Sequence, residues 1–166
     1  MSLFDRQLTI GELLNIDQSR QEKARYCSVE LEYVYHELKP QGVLEKFQKF
    51  FGKKILNTYY VIFKFRVTSD TGREHVVIIR VNPDFNLHEW EYNKIKIYCG
   101  CNDFKYRSAF VLNKNKSLFI NSRTSVDLGA ALVDPPKKQH PTLLCKHAFA
   151  ALQWLVNNYS SVMRSI

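Results

Sequence analysis

Two short motifs in the sequence carry side chains that could together bind one metal ion. The first is the CGC run at 99–101, and the second is the CKH run at 145–147. Thiolates and imidazoles are the ligands that zinc prefers, and four of them fill a tetrahedral shell with no position left for water. Soft thiolates also disfavour Mg²⁺ and Ca²⁺, whereas iron stays an alternative. The sequence therefore predicts one structural zinc ion with four ligands, which are Cys99, Cys101, Cys145 and His147.

The alternatives to a metal site are that the two motifs are incidental, or that Cys145 and His147 form a nucleophilic pair. A metal site explains more of the pattern, because it uses three of only four cysteines. The fourth, Cys27, falls on an apolar stripe and is predicted to be a core residue. The other histidines lack partner spacing and are predicted to be surface or hydrogen-bonded residues: His36, His75, His88 and His140.

The sequence contains none of the common catalytic motifs. It has no phosphate-binding glycine loop, no GxSxG, no HExxH and no paired-carboxylate motif. A shell of four protein ligands would also leave no site for a zinc-activated water. We therefore expect that the protein is not an enzyme and has no catalytic residues.

Each metal motif is predicted to lie at the end of a regular element. Residues 94–101 alternate as in a strand, in which residues i and i+2 point to the same face. From Cys145 onward, an apolar stripe with helical spacing predicts a helix. Inside a regular helix, residues i and i+2 diverge by about 200°, so Cys145 should lie just before the first turn. Residues 117–142 are predicted to be one long loop, across which zinc would tie the strand to the helix.

A β-hairpin is predicted between the amino-terminal region and these motifs. Two β-branched and aromatic runs, Tyr59–Thr68 and Glu74–Val81, flank a short turn that contains glycine. Because both runs precede the strand at 94–101, we expect one antiparallel sheet.

Helices are predicted in the first third of the chain. Short helices are expected around 10–16 and over 43–51, where lysines surround an apolar face. The stretch 19–38 is ambiguous, because three-and-four spacing favours a helix whereas alternation over 27–35 favours a strand. We prefer the helix.

Together these elements predict an α+β fold: an antiparallel β-hairpin sheet with amino-terminal helices and a zinc-tethered carboxy-terminal helix. With 166 residues, of which 45% are hydrophobic, the chain can bury a core of its own. We predict an amino-terminal arm and helical region over 1–42, followed by one α+β domain over 43–166.

The chain carries a formal charge of +8, from 24 Lys and Arg against 16 Asp and Glu. Such an excess attracts polyanions such as nucleic acids, anionic lipids or acidic protein surfaces. One basic pair follows the CGC motif and another lies in the predicted loop. The candidate anion or nucleic-acid contacts are therefore Lys105, Arg107, Lys137 and Lys138.

The cellular compartment is inferred from the amino terminus and from the apolar runs of the chain. The first residues contain acids and lack the apolar core of a secretory signal, and the best apolar run, at 59–63, is too short to span a bilayer. We therefore expect a reducing cytoplasm and no membrane partner, a setting in which clustered cysteines bind metals.

The pattern CxC…CxH resembles the SWIM zinc finger, a strand-hairpin and helix module found in nucleic-acid-binding and protein-binding contexts. The resemblance covers about 94–159 and places the zinc ligands in the two motifs named above. The 43 residues between the motifs form a longer spacer than is usual in that family.

A second resemblance concerns the segments around the ligands. The frame CGCNDFKYRSAF followed by PTLLCKH resembles SWIM-type proteins of large tailed bacteriophages. This resemblance implies a structural virion protein, a head–tail or neck component that docks on other virion proteins as a homo-oligomeric ring, with DNA as a further contact. Its location would be the virion, after synthesis in the host cytoplasm. The alternative is a cytoplasmic nucleic-acid-binding regulatory or accessory protein that uses the SWIM zinc finger.

Overall fold

The computed structural model describes residues 6–38, 59–82, 84–133 and 143–166. Within these ranges, four antiparallel strands form one sheet with the order β1-β2-β3-β4. The strands are β1 (Ser28–Leu38), β2 (Tyr59–Thr68), β3 (Glu74–Val81) and β4 (Ile95–Cys99). The predicted hairpin is confirmed with the same bounds. At its turn, Gly72 takes a φ of +82°, which glycine tolerates better than any other residue.

Five α-helices accompany the sheet in the described part of the chain. They are α1 (Ile10–Leu13), α2 (Gln18–Ala24), α3 (Ala109–Lys114), α4 (Ser122–Leu128) and α5 (Lys146–Ser165). A π-helical turn over Phe104–Ser108 leads into α3, and 3-10 turns span Leu87–Tyr92 and Gly129–Leu132. The α+β prediction is confirmed, and the carboxy-terminal helix begins where the CKH motif places it.

The core lies between one face of the sheet and α5. Phe63 and Phe65 of β2 are fully buried on this face. The ring of Phe65 packs edge-on against Trp154, with centroids 5.6 Å apart, and the ring of Phe63 lies 6.0 Å from that of Tyr159. The apolar stripe predicted for α5 therefore faces the sheet and holds the helix across it. We call the opposite side of the sheet the outer face.

The helix preferred for 19–38 is wrong beyond Ala24, and the strand alternative is right. The helix α2 ends at Ala24, and β1 follows as an edge strand paired with β2. Its backbone hydrogen bonds are made to a strand distant in sequence, a contact that spacing within 19–38 cannot reveal. Residues before position 42 thus share one sheet with residues after it. The helix predicted for 43–51 lies outside the described residues.

The register of β1 shifts between Leu31 and Tyr33. Leu31 lies opposite Phe65, on the core side, whereas Tyr33 lies opposite Lys64, on the outer face. The extra residue at Glu32 is a β-bulge, which moves the following side chains to the other face of the sheet. Because of it, Tyr33 and Tyr35 face away from the core although they continue the alternation of the residues before them.

The long loop predicted for 117–142 is wrong over its first half. Residues around Leu118 run beside β4: the Ile97 N–H donates to the Ser117 carbonyl at 2.9 Å, and the Phe119 N–H donates to the Ile97 carbonyl at 3.0 Å. Helix α4 then begins after Asn121, whose side chain accepts two backbone N–H groups of its first turn. Such a cap stabilises a helix too short for a clear periodicity. Residues 134–142 lie outside the described residues.

Candidate metal centre

The fold brings the four predicted ligands together. Cys99, Cys101, Cys145 and His147 are all buried, and one ligand atom from each lies within 4.8 Å of the others. Ligands about 2.3 Å from a tetrahedral zinc ion are about 3.8 Å from one another. The cluster therefore has the composition and the dimensions of a site that could hold a metal ion.

The CGC motif is positioned by the end of β4. Cys99 is the last residue of the strand and lies opposite Val77 of β3. The Gly100 N–H then donates to the Val76 carbonyl at 3.0 Å, which holds the chain against β3 for one more residue. Next, the Phe104 N–H donates to Cys101 Sγ at 3.3 Å, so the π-helical turn supports the second sulfur.

The CKH motif is positioned by the start of α5. Cys145 is the N-cap residue with φ −76° and ψ 166°, so it lies just before the first turn, as predicted. Its Sγ accepts the Ala148 N–H at 3.4 Å. An N-cap side chain faces the free N–H groups of the helix, where the helix dipole favours negative charge. The position suits a thiolate.

The imidazole of His147 supports a cluster that could hold a metal ion. Both of its ring nitrogens are buried, and neither has a hydrogen-bond partner among the described residues. A buried polar atom without a partner costs about 1–3 kcal/mol. A metal ion at the centre of the cluster would give one of the two nitrogens a partner. One nitrogen and three sulfurs would then be its four ligands.

The three thiols influence one another strongly. Burial raises the pKa of Cys99 and Cys145. In contrast, hydrogen bonds from Cys145 and Cys99 lower the pKa of Cys101. Three buried thiolates side by side would require a cation to offset their charge.

A cavity of about 320 Å³ opens beside the cluster, with His147 in its wall. Four cationic side chains line it: Arg20, Lys23, Arg107 and Lys146. Three of them have carboxylate partners. The Arg107 Nε lies 3.1 Å from Asp103, the Lys146 Nζ lies 3.3 Å from Asp70, and Arg20 contacts both Asp17 and Asp103. Three thiolates with a divalent ion would carry one net negative charge, which these cations would help to offset.

Two of the four predicted anion contacts, Lys105 and Arg107, lie in the described part of the chain. Arg107 is paired with Asp103, and Lys105 lies over the ring of its neighbour Tyr106 with its Nζ 5.6 Å from the centroid. Lys137 and Lys138 lie outside the described residues. The structure therefore leaves their nucleic-acid role as a prediction.

Sequence reasoning missed the contribution of His75 to this site. Its ring lies 4.3 Å from that of His147, between centroids. The hairpin register brings it there, because His75 is at the start of β3. The alternation of β3 predicts the face of the sheet on which His75 lies. It does not predict that His147 of α5 packs against that face. Cys27, predicted to be core, is half-buried against the core and outside the cluster.

The sequence matches no protein-family model, and comparisons with curated proteins and with solved structures give no significant match. In the described ranges, no helix is both long and apolar enough to cross a membrane.

Proposed function

We propose that this protein is a non-enzymatic zinc-binding protein in which the Cys₃His cluster is a structural zinc site. The observation that carries the proposal is the convergence of four buried ligand atoms within 4.8 Å, at the junction of β4 and α5. Four protein ligands complete the tetrahedral coordination of zinc, so no position is left for a reacting water. Three sulfurs and one nitrogen also favour zinc over harder divalent ions.

The finer assignment we propose is a SWIM-type zinc finger. It is supported by the order of elements, since Cys99 ends a strand of a hairpin-based sheet and Cys145 caps the carboxy-terminal helix. The assignment therefore rests on the positions of the ligands, at the end of a strand and at the start of a helix. It does not rest on the number of residues between the two motifs.

The role of the metal would be to restrain the carboxy-terminal third of the chain. Joining Cys101 to Cys145 closes a connection of 43 residues, which costs about 3 kcal/mol of chain entropy. Because the site forms only in the folded chain, the free energy of zinc binding would offset this cost and stabilise the folded state. The strands of the hairpin pair with each other along their length, and Phe63 and Phe65 pack against Tyr159 and Trp154, which lie further along α5 than the ligand at its start. Zinc would therefore stabilise the attachment of α5 to β4 more than the hairpin.

The test of the zinc site is metal content measured by mass spectrometry on protein purified without added metal. We expect one zinc per chain in the wild type and a large loss in Cys145→Ser. Cys27→Ser is the matched control, because Cys27 lies outside the cluster. This variant should keep one zinc per chain. Stoichiometric zinc in both Cys145→Ser and His147→Ala would contradict the assignment, as would iron in place of zinc.

The biological setting we propose is the one that the phage resemblance implies: a head–tail component that docks on other virion proteins. Its support is the similarity of the segments around the two motifs. Native mass spectrometry should detect a homo-oligomeric ring, and antibodies against the protein should detect it in purified particles. A strictly monomeric protein that is absent from particles would refute this setting without affecting the zinc site.

A further inference from the structure

The outer face of the sheet carries aromatic rings and cations in register. Tyr35 of β1 lies opposite Ile62 of β2, which lies opposite Arg80 of β3, which lies opposite Lys96 of β4. One row away, Tyr33 lies opposite Lys64. These rows are on the side of the sheet that α5 does not cover, since the core side carries Phe63 and Phe65. Ile62 itself is fully buried, so the exposed groups of the first row lie on either side of it.

The tyrosines of β1 are presented to solvent. Tyr33 is 49% exposed and Tyr35 is 39% exposed, and their ring centroids are 5.9 Å apart. Cations lie over two rings of the same face: the Lys64 Nζ is 5.0 Å from the Tyr33 centroid, and the Arg80 guanidinium is 4.0 Å from that of Tyr60. Exposed rings beside cations are the platform on which proteins stack unpaired bases.

The cations of this face fall into two groups. Near the hairpin turn, Arg66 lies within 4.0 Å of three carboxylates, from Glu30, Glu32 and Glu74. At the other end are Arg80 and Lys96, neither of which has an ion pair with a described residue; the carboxylate in register there is Glu37, opposite Tyr60. Lys116, which follows α3, is near enough to act on Lys96 through its charge.

Lys96 is close enough to Arg80 and to Lys116 to be repelled by both. Burial, and then the charges of Arg80 and Lys116, lower the pKa of Lys96. The Nε of Arg80 is buried and has no hydrogen-bond partner among the described residues. An anion that binds between like charges reduces the repulsion between them.

We propose that the outer face binds single-stranded nucleic acid, with bases stacked on Tyr33 and Tyr35 and phosphates at Arg80, Lys96 and Lys116. A single strand is favoured over a duplex because bases must be unpaired to reach rings that stand on a sheet. Stacking and phosphate contacts do not depend on the sugar, so DNA and RNA should bind alike. This inference goes beyond the zinc-site proposal and uses a different surface.

The experiment is fluorescence anisotropy of zinc-loaded protein with a labelled oligo-dT of about 16 nucleotides, the upper end of the usual site size for one small fold. We expect binding at low salt that is at least about tenfold tighter than to a duplex of equal length, and similar binding to oligo-U. Tyr35→Ala should weaken binding about tenfold, whereas Tyr35→Phe should keep it. Arg80→Ala should reduce the slope of log K against log salt by about 0.7.

Two control variants separate this surface from general electrostatics. Arg66→Ala removes a cation of the same face that is already paired with carboxylates, and Tyr106→Ala removes an exposed ring elsewhere. Both should bind like the wild type. Should Arg80→Ala fail to fold, Lys96→Gln tests the same cluster.

Three results would overturn the inference: no binding at low salt, equal affinity for the duplex, or equal affinity for Tyr35→Ala and the wild type. The inference would also be overturned by a partner protein that binds this face and is not displaced by nucleic acid. Because binding and zinc content are separate readouts, either proposal can fail alone.

Discussion

The imidazole ring of His75 on β3 lies against the ring of His147 on α5, with centroids 4.3 Å apart and planes tilted by 44°. His147 contributes the nitrogen of the metal cluster, and His75 covers one side of that ring. Burial, followed by the neighbouring His147, lowers the pKa of His75, which favours its uncharged form near neutral pH. An uncharged ring in this place can restrict the orientation of His147 without repelling a cation.

We predict that His75→Ala lowers zinc affinity about tenfold, the lower end of the effect of losing a supporting residue at a metal site. Competition with a chromophoric chelator measures this affinity. Restoration by His75→Phe would identify ring packing as the cause. His36→Ala, which changes an exposed histidine of β1, is the control. Unchanged affinity in His75→Ala would mean that the fold alone orients His147.

Removal of zinc should loosen one region of the protein and leave another unchanged. In hydrogen exchange by mass spectrometry, a chelator should speed exchange at the end of β4 and in the first turn of α5. The hairpin β2-β3 should be unaffected, because its strands pair with each other and its core residues are fully buried. Faster exchange throughout the chain would show that zinc holds the whole fold, and no change would show that it holds neither part.

The hydroxyl of Tyr98 ties β4 to α4, because it donates a hydrogen bond to the Asp127 carboxylate at 2.5 Å. Tyr98→Phe should lower the free energy of unfolding by about 1.5–3 kcal/mol, the usual range for a hydrogen bond to a charged group. Chemical denaturation at neutral pH checks this value. Tyr106→Phe, at an exposed tyrosine, should change stability by less than about 0.5 kcal/mol.

The same bond predicts a loss of stability in alkali. Burial, and then the bond to Asp127, raise the pKa of Tyr98 above its ordinary value. In the unfolded chain the phenol loses its proton near pH 10, whereas in the folded protein it stays protonated to higher pH. The stability is therefore fully present below about pH 10 and falls as the pH rises above it. Tyr98→Phe should show a shallower alkaline decline than the wild type; parallel curves would contradict this origin.

The amino-terminal helix should contribute to acid sensitivity. Hydrogen bonds from Arg6, at 2.7 Å to each oxygen, lower the pKa of Glu12 to about 2. Glu12 also completes a capping box with Thr9. A lowered carboxyl pKa gives stability that is present above the unfolded pKa and is lost as the pH falls from about 4.3 toward 2. Because both side chains are about one-third exposed, Glu12→Gln should cost only about 0.5–1 kcal/mol at neutral pH.

That cost should already be smaller at pH 3 and should disappear below about pH 2, where the wild-type carboxyl is also protonated. Urea denaturation of both proteins at pH 7 and pH 3 tests the difference. A Glu12→Gln variant that loses the same stability at both pH values would show that packing, not charge, is the contribution of this side chain.

The elements that the sequence by itself determined are those with local signals. The hairpin needs only two apolar runs and a glycine turn, and its bounds are the predicted ones. The four ligands also follow from local chemistry, since Cys99 and Cys101 end a strand and Cys145 caps a helix. Alternation, helical spacing and capping are properties of neighbours in the chain, so the sequence states them directly.

Tertiary structure alone decided the conformation of β1 and the two sides of the sheet. The 27–35 segment fits both a helix and a strand, and pairing with β2 selects the strand. The alternation from Val29 to Tyr35 indicates a single face, but the bulge at Glu32 places Leu31 on the core side and Tyr33 on the outer face. The contact between His75 and His147 likewise joins β3 to α5. These outcomes depend on which distant segments meet, and the free energy that decides them comes from long-range packing and backbone pairing rather than from any local pattern.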